Sequence, residues 1–272
     1  MRGAILAVVE REFKRFLRQR GRLLSTFARP LLWLAVIGSG FAALVPEQEG
    51  LSYHQYLLPG IFGMVLLFSS MLSALSTVHD REFGPVRMML VAPLPRGSIV
   101  AAKVLSSTLL AVAQGVLLLP LLPLLGLRPG PAALAAFLGA LLLTAVALSS
   151  LGMLLASRIR SLENFAGVMN LVIFPMFFLS GALYPVFLLP GYLKPLVYLN
   201  PLTYGVDLLK HPLLSPAALS GFRGEFSPAL DVSVLLGFSV LALAAATFLF
   251  GGEEHAGRIL LSETPRRRPR RS

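Results

Sequence analysis

Cysteine is absent from all 272 residues, which excludes disulfides, iron–sulfur clusters and thiol catalysis. Charge is scarce, at 14% of residues, where an ordinary soluble domain carries roughly a quarter. No G-x-x-x-x-G-K-[ST] occurs, so no phosphate-cradling loop is expected in this chain. No spaced His/Cys set suggests a metal and no Ser–His–Asp set suggests a nucleophile, so neither a metal site nor a catalytic residue is expected. Carboxylates are also missing from the middle of every apolar run. The thirteen Asp and Glu fall in loops or at the ends of runs; His54, His79 and His255 flank runs, and His211 lies in a loop. Gradient-driven carriers and selective ion channels use ionisable groups inside the membrane. Uphill movement of a solute by this chain would therefore need energy delivered from outside the bilayer.

What is abundant is hydrocarbon. Hydrophobic residues make up 56% of the chain, and they come in uninterrupted runs rather than at amphipathic spacing. Runs of about 18–20 apolar residues mark membrane spans. Six are expected, at residues 26–45, 56–78, 99–125, 132–156, 165–184 and 230–250. The expected fold class is an all-α polytopic membrane protein with a transmembrane domain over 23–251. Residues 1–22 place Ile5, Val9, Phe13, Phe16 and Leu17 at helical spacing, with Arg11, Lys14, Arg15 and Arg18 on other faces. This pattern predicts an interfacial amphipathic helix rather than a cleaved signal.

The net charge of +11 would suit nucleic acid, but its distribution offers a simpler account. With the N-terminus inside, 20 of the 24 Lys and Arg fall in cytoplasmic segments; Arg128, Lys194, Lys210 and Arg223 fall outside. The positive-inside rule then puts both termini in the cytoplasm, and no nucleic-acid partner is required. The tail at 252–272, ending TPRRRPRRS, is too charged and proline-rich to fold, and suits attraction to anionic lipid.

Residues 185–200 are apolar yet cannot span, because Pro185, Pro190, Pro195 and Pro201 interrupt them every five or six residues. Short broken helices entering the outer leaflet are expected there, with Tyr192 and Asn200 among their polar-tipped residues. Inside the spans the polar signal is mild. Ser69, Ser73 and Ser76 share a face of the second span, and Gln114 sits midway along the third. They are candidates either for helix–helix contacts or for a substrate path. Gly152 and Ala156 form a small-xxx-small pair, which reads as packing.

The loop between the second and third spans carries D-R-E-x-G-x-x-x-x-x-L-x-A-P-L-P-R from Asp80 to Arg96. With it go Tyr56-Leu57-Leu58-Pro59-Gly60, Leu179-Ser180-Gly181-Ala182-Leu183-Tyr184-Pro185 and Asn200-Pro201-Leu202-Thr203-Tyr204-Gly205-Val206-Asp207. In order and spacing these resemble type-2 ATP-binding-cassette exporter permeases, within that family most nearly the bacterial drug-exporter and nodulation-factor-exporter subunits. The likeness covers nearly the whole chain; the Arg-rich tail departs from it. It implies six spans, a dimer of this chain or a pair with a related permease, and a separate ATPase subunit that holds the ATP and Mg. It also implies a coupling helix formed by Asp80, Arg81, Glu82, Phe83, Gly84, Val86, Arg87, Met88, Met89 and Leu90. The proline-broken segment would be the family's extracellular re-entrant hairpin. The implied setting is the bacterial inner membrane and the implied cargo a lipid, glycan or hydrophobic drug-like molecule. Two other classes compete: an ATP-independent channel or carrier, and a membrane assembly protein.

Overall fold

The computed structural model describes residues 14, 28, 30–42, 51–82, 96–159, 161–214 and 224–251. These form helices and their connections, with no β-strand among them. Helix α1 covers Pro30–Phe41 and contains a π-helical turn at Leu34–Gly38. It is followed by α2 (Tyr53–Glu82), α3 (Arg96–Leu117), the short α4 (Leu121–Leu124), α5 (Pro131–Arg158) and α6 (Leu162–Phe178). Two 3₁₀ turns, Val186–Leu188 and Gly191–Leu193, lead into α7 (Lys194–Leu199), α8 (Pro201–Leu214) and α9 (Pro228–Gly251).

Local chemistry sets the helix boundaries. Ser52 caps α2: its hydroxyl accepts the Gln55 amide at 3.4 Å while the Gln55 side chain accepts the Ser52 amide at 3.1 Å, a reciprocal capping box. Ser161 does the same for α6, accepting the Asn164 amide at 3.2 Å, and Ser227 for α9, accepting Leu230 at 3.3 Å. Pro131 stands at the start of α5, where its missing N–H would be unpaired anyway. At the end of α4, Gly126 takes φ +80°, a left-handed stop that a side chain would resist.

Among the described residues, four helices are long and apolar enough to cross a bilayer: Tyr53–Glu82, Gly97–Leu124, Pro131–Arg158 and Pro228–Leu249, with mean hydropathy between 1.9 and 2.3. They fall on the second, third, fourth and sixth expected spans. The fifth differs from expectation. Its helix closes at Phe178 instead of running to Tyr184, because the chain turns at Leu179–Gly181, where Gly181 has φ +75°. At 17 residues it rises about 25 Å, against a hydrocarbon core of about 30 Å. Of the first expected span, only Ala28 and residues 30–42 are described.

Helix α2 is the central post. In its most apolar window 78% of residues are buried, against 22% for α9, so α9 turns most of its surface outward. Val240, Leu241 and Phe248 on α9 and Leu171 and Phe174 on α6 stay exposed, as hydrocarbon or a partner helix permits but water does not. Helix α5 packs against α2, α3, α8 and α9. Close approach there depends on small residues: a Cβ on Gly152 would meet Ala74 Cβ at 3.0 Å and the Ser70 carbonyl oxygen at 3.1 Å. The Gly152/Ala156 pair is therefore a packing seam, as its spacing predicts. Trp33 ties α1 to α6 by an edge-on contact with Phe177 at 5.2 Å.

Candidate functional site

The C-terminal end of α2 carries three consecutive charged residues, each fastened to a different neighbour. Asp80 is 2% exposed and accepts a hydrogen bond at 2.7 Å from Lys103 of α3, itself 6% exposed. Arg81 Nη1 donates to the carbonyls of Ala156 at 2.7 Å and Ser157 at 3.0 Å, two acceptors that the end of α5 leaves without helical partners. Glu82 accepts the Leu162 amide at 2.9 Å, one of the free N–H groups opening α6. Asp80, Arg81 and Glu82 thus stand in the last described turn of α2, each with a partner in the bundle. By its position in the sequence Lys103 is one more inward-side charge; its partner Asp80 lies 23 positions away, and the pairing has no local signature. The remaining expected coupling residues, Phe83, Gly84, Val86, Arg87, Met88, Met89 and Leu90, lie outside the described residues, as do Arg160, the tail, and the amphipathic residues at 1–22 other than Lys14.

From this end a polar seam runs along α2. Ser69 and Ser73 are buried, as is Gln114 on α3. Ser70 and Ser149 bring their hydroxyls within 3.2 Å. Ser73 shares a small recess with Thr77, Lys103, Ser107 and Ser149. A larger cavity lies elsewhere, and among the described residues none of Ser69, Ser73 and Gln114 lines it.

That cavity, of about 390 Å³, sits at the N-terminal end of α2 between Phe41, Tyr53, Tyr56, Leu183, Tyr184 and Phe187. It is mostly apolar with three tyrosines in its wall, a lining that suits a hydrophobic ligand. Two of their hydroxyls are held: Tyr53 donates to the Leu183 carbonyl at 2.9 Å and Tyr56 to that of Gly181 at 3.1 Å. From the expected hairpin segment, Pro185, Phe187 and Leu188 line this wall. Asn200 is buried and caps α8, accepting the Leu202 amide at 3.0 Å while donating to the Met176 carbonyl at 2.7 Å. Pro201 opens α8, Pro195 stands in the first turn of α7, and Pro190 precedes the second 3₁₀ turn. Tyr192 is 78% exposed. The residues at 185–200 do form short broken helices, as their prolines predict.

Beside the cavity, α8 carries a buried charge cluster that the sequence reading placed in a loop. Lys210, 1% exposed, donates to the Gly181 carbonyl at 2.7 Å and to Tyr56 Oη at 2.8 Å, with its ammonium 4.2 Å above the Tyr56 ring. Burial pulls its pKa down to about 8, against the opposing pull of Asp207 and Glu225. Asp207 accepts the amides of Glu225 at 2.9 Å and Phe226 at 2.8 Å. Burial alone would raise its pKa, but His211, these amides and Lys210 hold it below the usual carboxylate range. Glu225 accepts the Val186 amide at 2.6 Å, and burial pushes its carboxyl up. His211 Nε2 lies 3.5 Å from Asp207 and 3.7 Å from Asp231; bonding to Asp207 raises its pKa against the effect of burial. No metal set was expected from the sequence, yet the fold brings Asp207, His211 and Asp231 to within 4.8 Å of one another. The signal was available in part: Asp207, Lys210 and His211 stand at i, i+3 and i+4 on one helix.

The sequence pattern of the ABC-2 type transporter family matches residues 3–214. The chain belongs to that family. It is therefore a multi-pass membrane permease of ABC-transporter type. Among its relatives is the inner membrane transport permease YadH of Escherichia coli K12, 26% identical over 90% of this chain and 91% of its own length. Nodulation protein J of Rhizobium leguminosarum is 28% identical over 71% of this chain and 74% of its own. The putative transport permease ycf38 of Cyanophora paradoxa is 29% identical over 76% and 72%. The family match ends at residue 214, so it takes in the fastened end of α2, the cavity wall and the α8 members of the charge cluster, Asp207, Lys210 and His211, while Glu225 and Asp231 lie beyond it.

Proposed function

We propose that this ABC-2 permease is the membrane half of an ATP-driven exporter, coupled to a separate ATPase through the segment that follows Glu82. The observation that carries the reading is the triple fastening at the end of α2. Asp80, Arg81 and Glu82 link that end to α3, α5 and α6 at 2.7–3.0 Å. A push on residues 83–95 would therefore move four helices together instead of bending one. The chain holds no phosphate-binding loop, so ATP and Mg belong to the partner subunit. Nucleotide binding would favour one arrangement of two paired permeases, and that differential affinity is what shifts the population between states.

In this reading α1 and α6 complete six spans, and the broken segment at 185–199 enters the outer leaflet, consistent with exposed Phe187, Leu188, Tyr192, Leu196 and Leu199. Both termini face the cytoplasm, and the setting is the inner membrane, as the name of the YadH relative suggests. The outward face of α9 and α6 leaves room for a second copy or a related permease, and for lipid. The apolar, tyrosine-edged cavity suits an amphiphile, which agrees with a lipid, glycolipid or hydrophobic drug-like cargo.

The test is co-expression with an ATPase subunit from the same organism, copurification, and reconstitution into vesicles with fluorescent lipid, glycolipid and drug panels. Cargo movement that requires hydrolysable ATP and both subunits is expected. Movement of any of these by the permease alone would make it an ATP-independent carrier; copurification with unrelated membrane subunits and no transport would make it an assembly protein.

A further inference from the structure

Asp231 has no exposed surface, and neither carboxylate oxygen has a hydrogen-bond partner among the described residues. A buried, unpartnered carboxylate is expensive, and it is rarer still beside a second one. Here Asp207 is that second carboxylate, and His211 Nε2 stands between them at 3.5 and 3.7 Å. The nearby ammonium does not serve Asp231, because Lys210 is committed to Tyr56 and the Gly181 carbonyl. Among the described residues, three carboxylates, Asp207, Glu225 and Asp231, and one lysine stand around this point. With a neutral imidazole these described groups are short of positive charge by an amount one divalent cation supplies.

From this arrangement we infer a structural divalent-metal site, with zinc as the cation it suits best, formed by Asp207, His211 and Asp231 where the end of α8 meets the start of α9. Zinc bonds nitrogen and oxygen at about 2.0–2.2 Å, so neighbouring donors in a tetrahedron stand about 3.3–3.6 Å apart. The two separations from His211 are already near that range, and the three donor atoms lie within 4.8 Å. A small inward movement of Asp231 closes the set. The Phe226 carbonyl, 3.1 Å from Nε2, is placed to be a fourth donor. Binding takes the Nδ1–H tautomer, which leaves Nε2 as the ligand atom. Space for the imidazole depends on Gly224: a Cβ there would lie 2.6 Å from Nε2. The site joins α8 to the first turn of α9 and, through the amides bonded to Asp207, to the 225–226 segment. Its role is to lock the cavity side of the molecule, and it stands or falls independently of the proposed ATP coupling.

The test uses the full-length permease purified in detergent without chelators, with metal content measured by mass spectrometry and Co²⁺ added as a spectroscopic probe to chelator-stripped protein. Stoichiometric zinc, or a visible Co²⁺ band that zinc abolishes, is expected. Asp231→Asn, which keeps volume, should weaken zinc roughly tenfold or more, a loss that removing even an outer-shell partner can reach. Gly224→Ala should weaken it with all three ligands retained, and His79→Ala should leave it unchanged. A wild-type protein that holds no zinc and gives no Co²⁺ band, or an Asp231→Asn variant that binds as wild type does, would overturn the site and leave His211 as a protonated bridge between the carboxylates.

Discussion

Removing the Lys103 ammonium while leaving the Asp80 carboxylate in place is the most direct probe of the fastened end of α2. Both side chains are nearly fully buried and meet at 2.7 Å. A buried pair of this kind is worth little relative to apolar replacements, but removing one side takes from the other buried charge its 2.7 Å partner, at about 3–5 kcal/mol. Lys103→Met should therefore destabilise the permease by about that amount. Asp80→Asn should do so too, somewhat less, because the long stem of Lys103 lets its ammonium reach toward water, whereas the short Asp80 side chain left by Lys103→Met cannot. The double variant Asp80→Asn/Lys103→Met strands nothing and should fall within about 1 kcal/mol of wild type, giving an interaction free energy of about 3 kcal/mol or more. Equilibrium unfolding of the purified protein in mixed detergent–SDS micelles, followed by tryptophan fluorescence from Trp33, measures all four corners of the cycle. Effects that add within about 0.5 kcal/mol, the tolerance for independent sites, would refute the buried pair and with it the rigid end of α2.

Other outcomes follow from the same geometry. Arg81→Gln should lower stability by about 1.5–3 kcal/mol, discounted toward the lower end because the side chain is only half-buried; a permease–ATPase complex carrying it should still assemble but hydrolyse ATP with weaker dependence on cargo. Glu82→Lys should lose the cap on α6, at about 1 kcal/mol, and reduce copurification of the ATPase, whereas Glu82→Gln retains an acceptor and should behave as wild type in a pull-down. Gly60→Val should prevent accumulation of folded protein, seen as loss of the monodisperse peak in size exclusion, because even a Cβ at Gly60 would lie 2.6 Å from Ala182 Cβ and 2.8 Å from its backbone. Leu183→Trp should fill the cavity and slow transport severalfold in reconstituted vesicles while leaving ATPase binding intact.

The hydrocarbon runs were legible from the sequence alone, because a bilayer demands continuous apolar surface and leaves that demand written in consecutive residues. The same holds for the break at Pro185–Pro201 and the packing role of Gly152 and Ala156, each a property of neighbours along the chain. So too does family membership, carried by the stretch from Asp80 to Arg96 and the matching pieces around it. What only the tertiary structure decided is which polar groups meet. Lys210 and Tyr56 bond across 154 positions, and Asp80 finds Lys103 on the next helix. Asp231 arrives beside Asp207 and His211 only because the start of α9 docks on the end of α8. Those meetings depend on the rotation and register of each packed helix, which a side chain's position in the sequence does not encode. Charges that read as loop residues were consequently found in the interior, where a missing partner matters most.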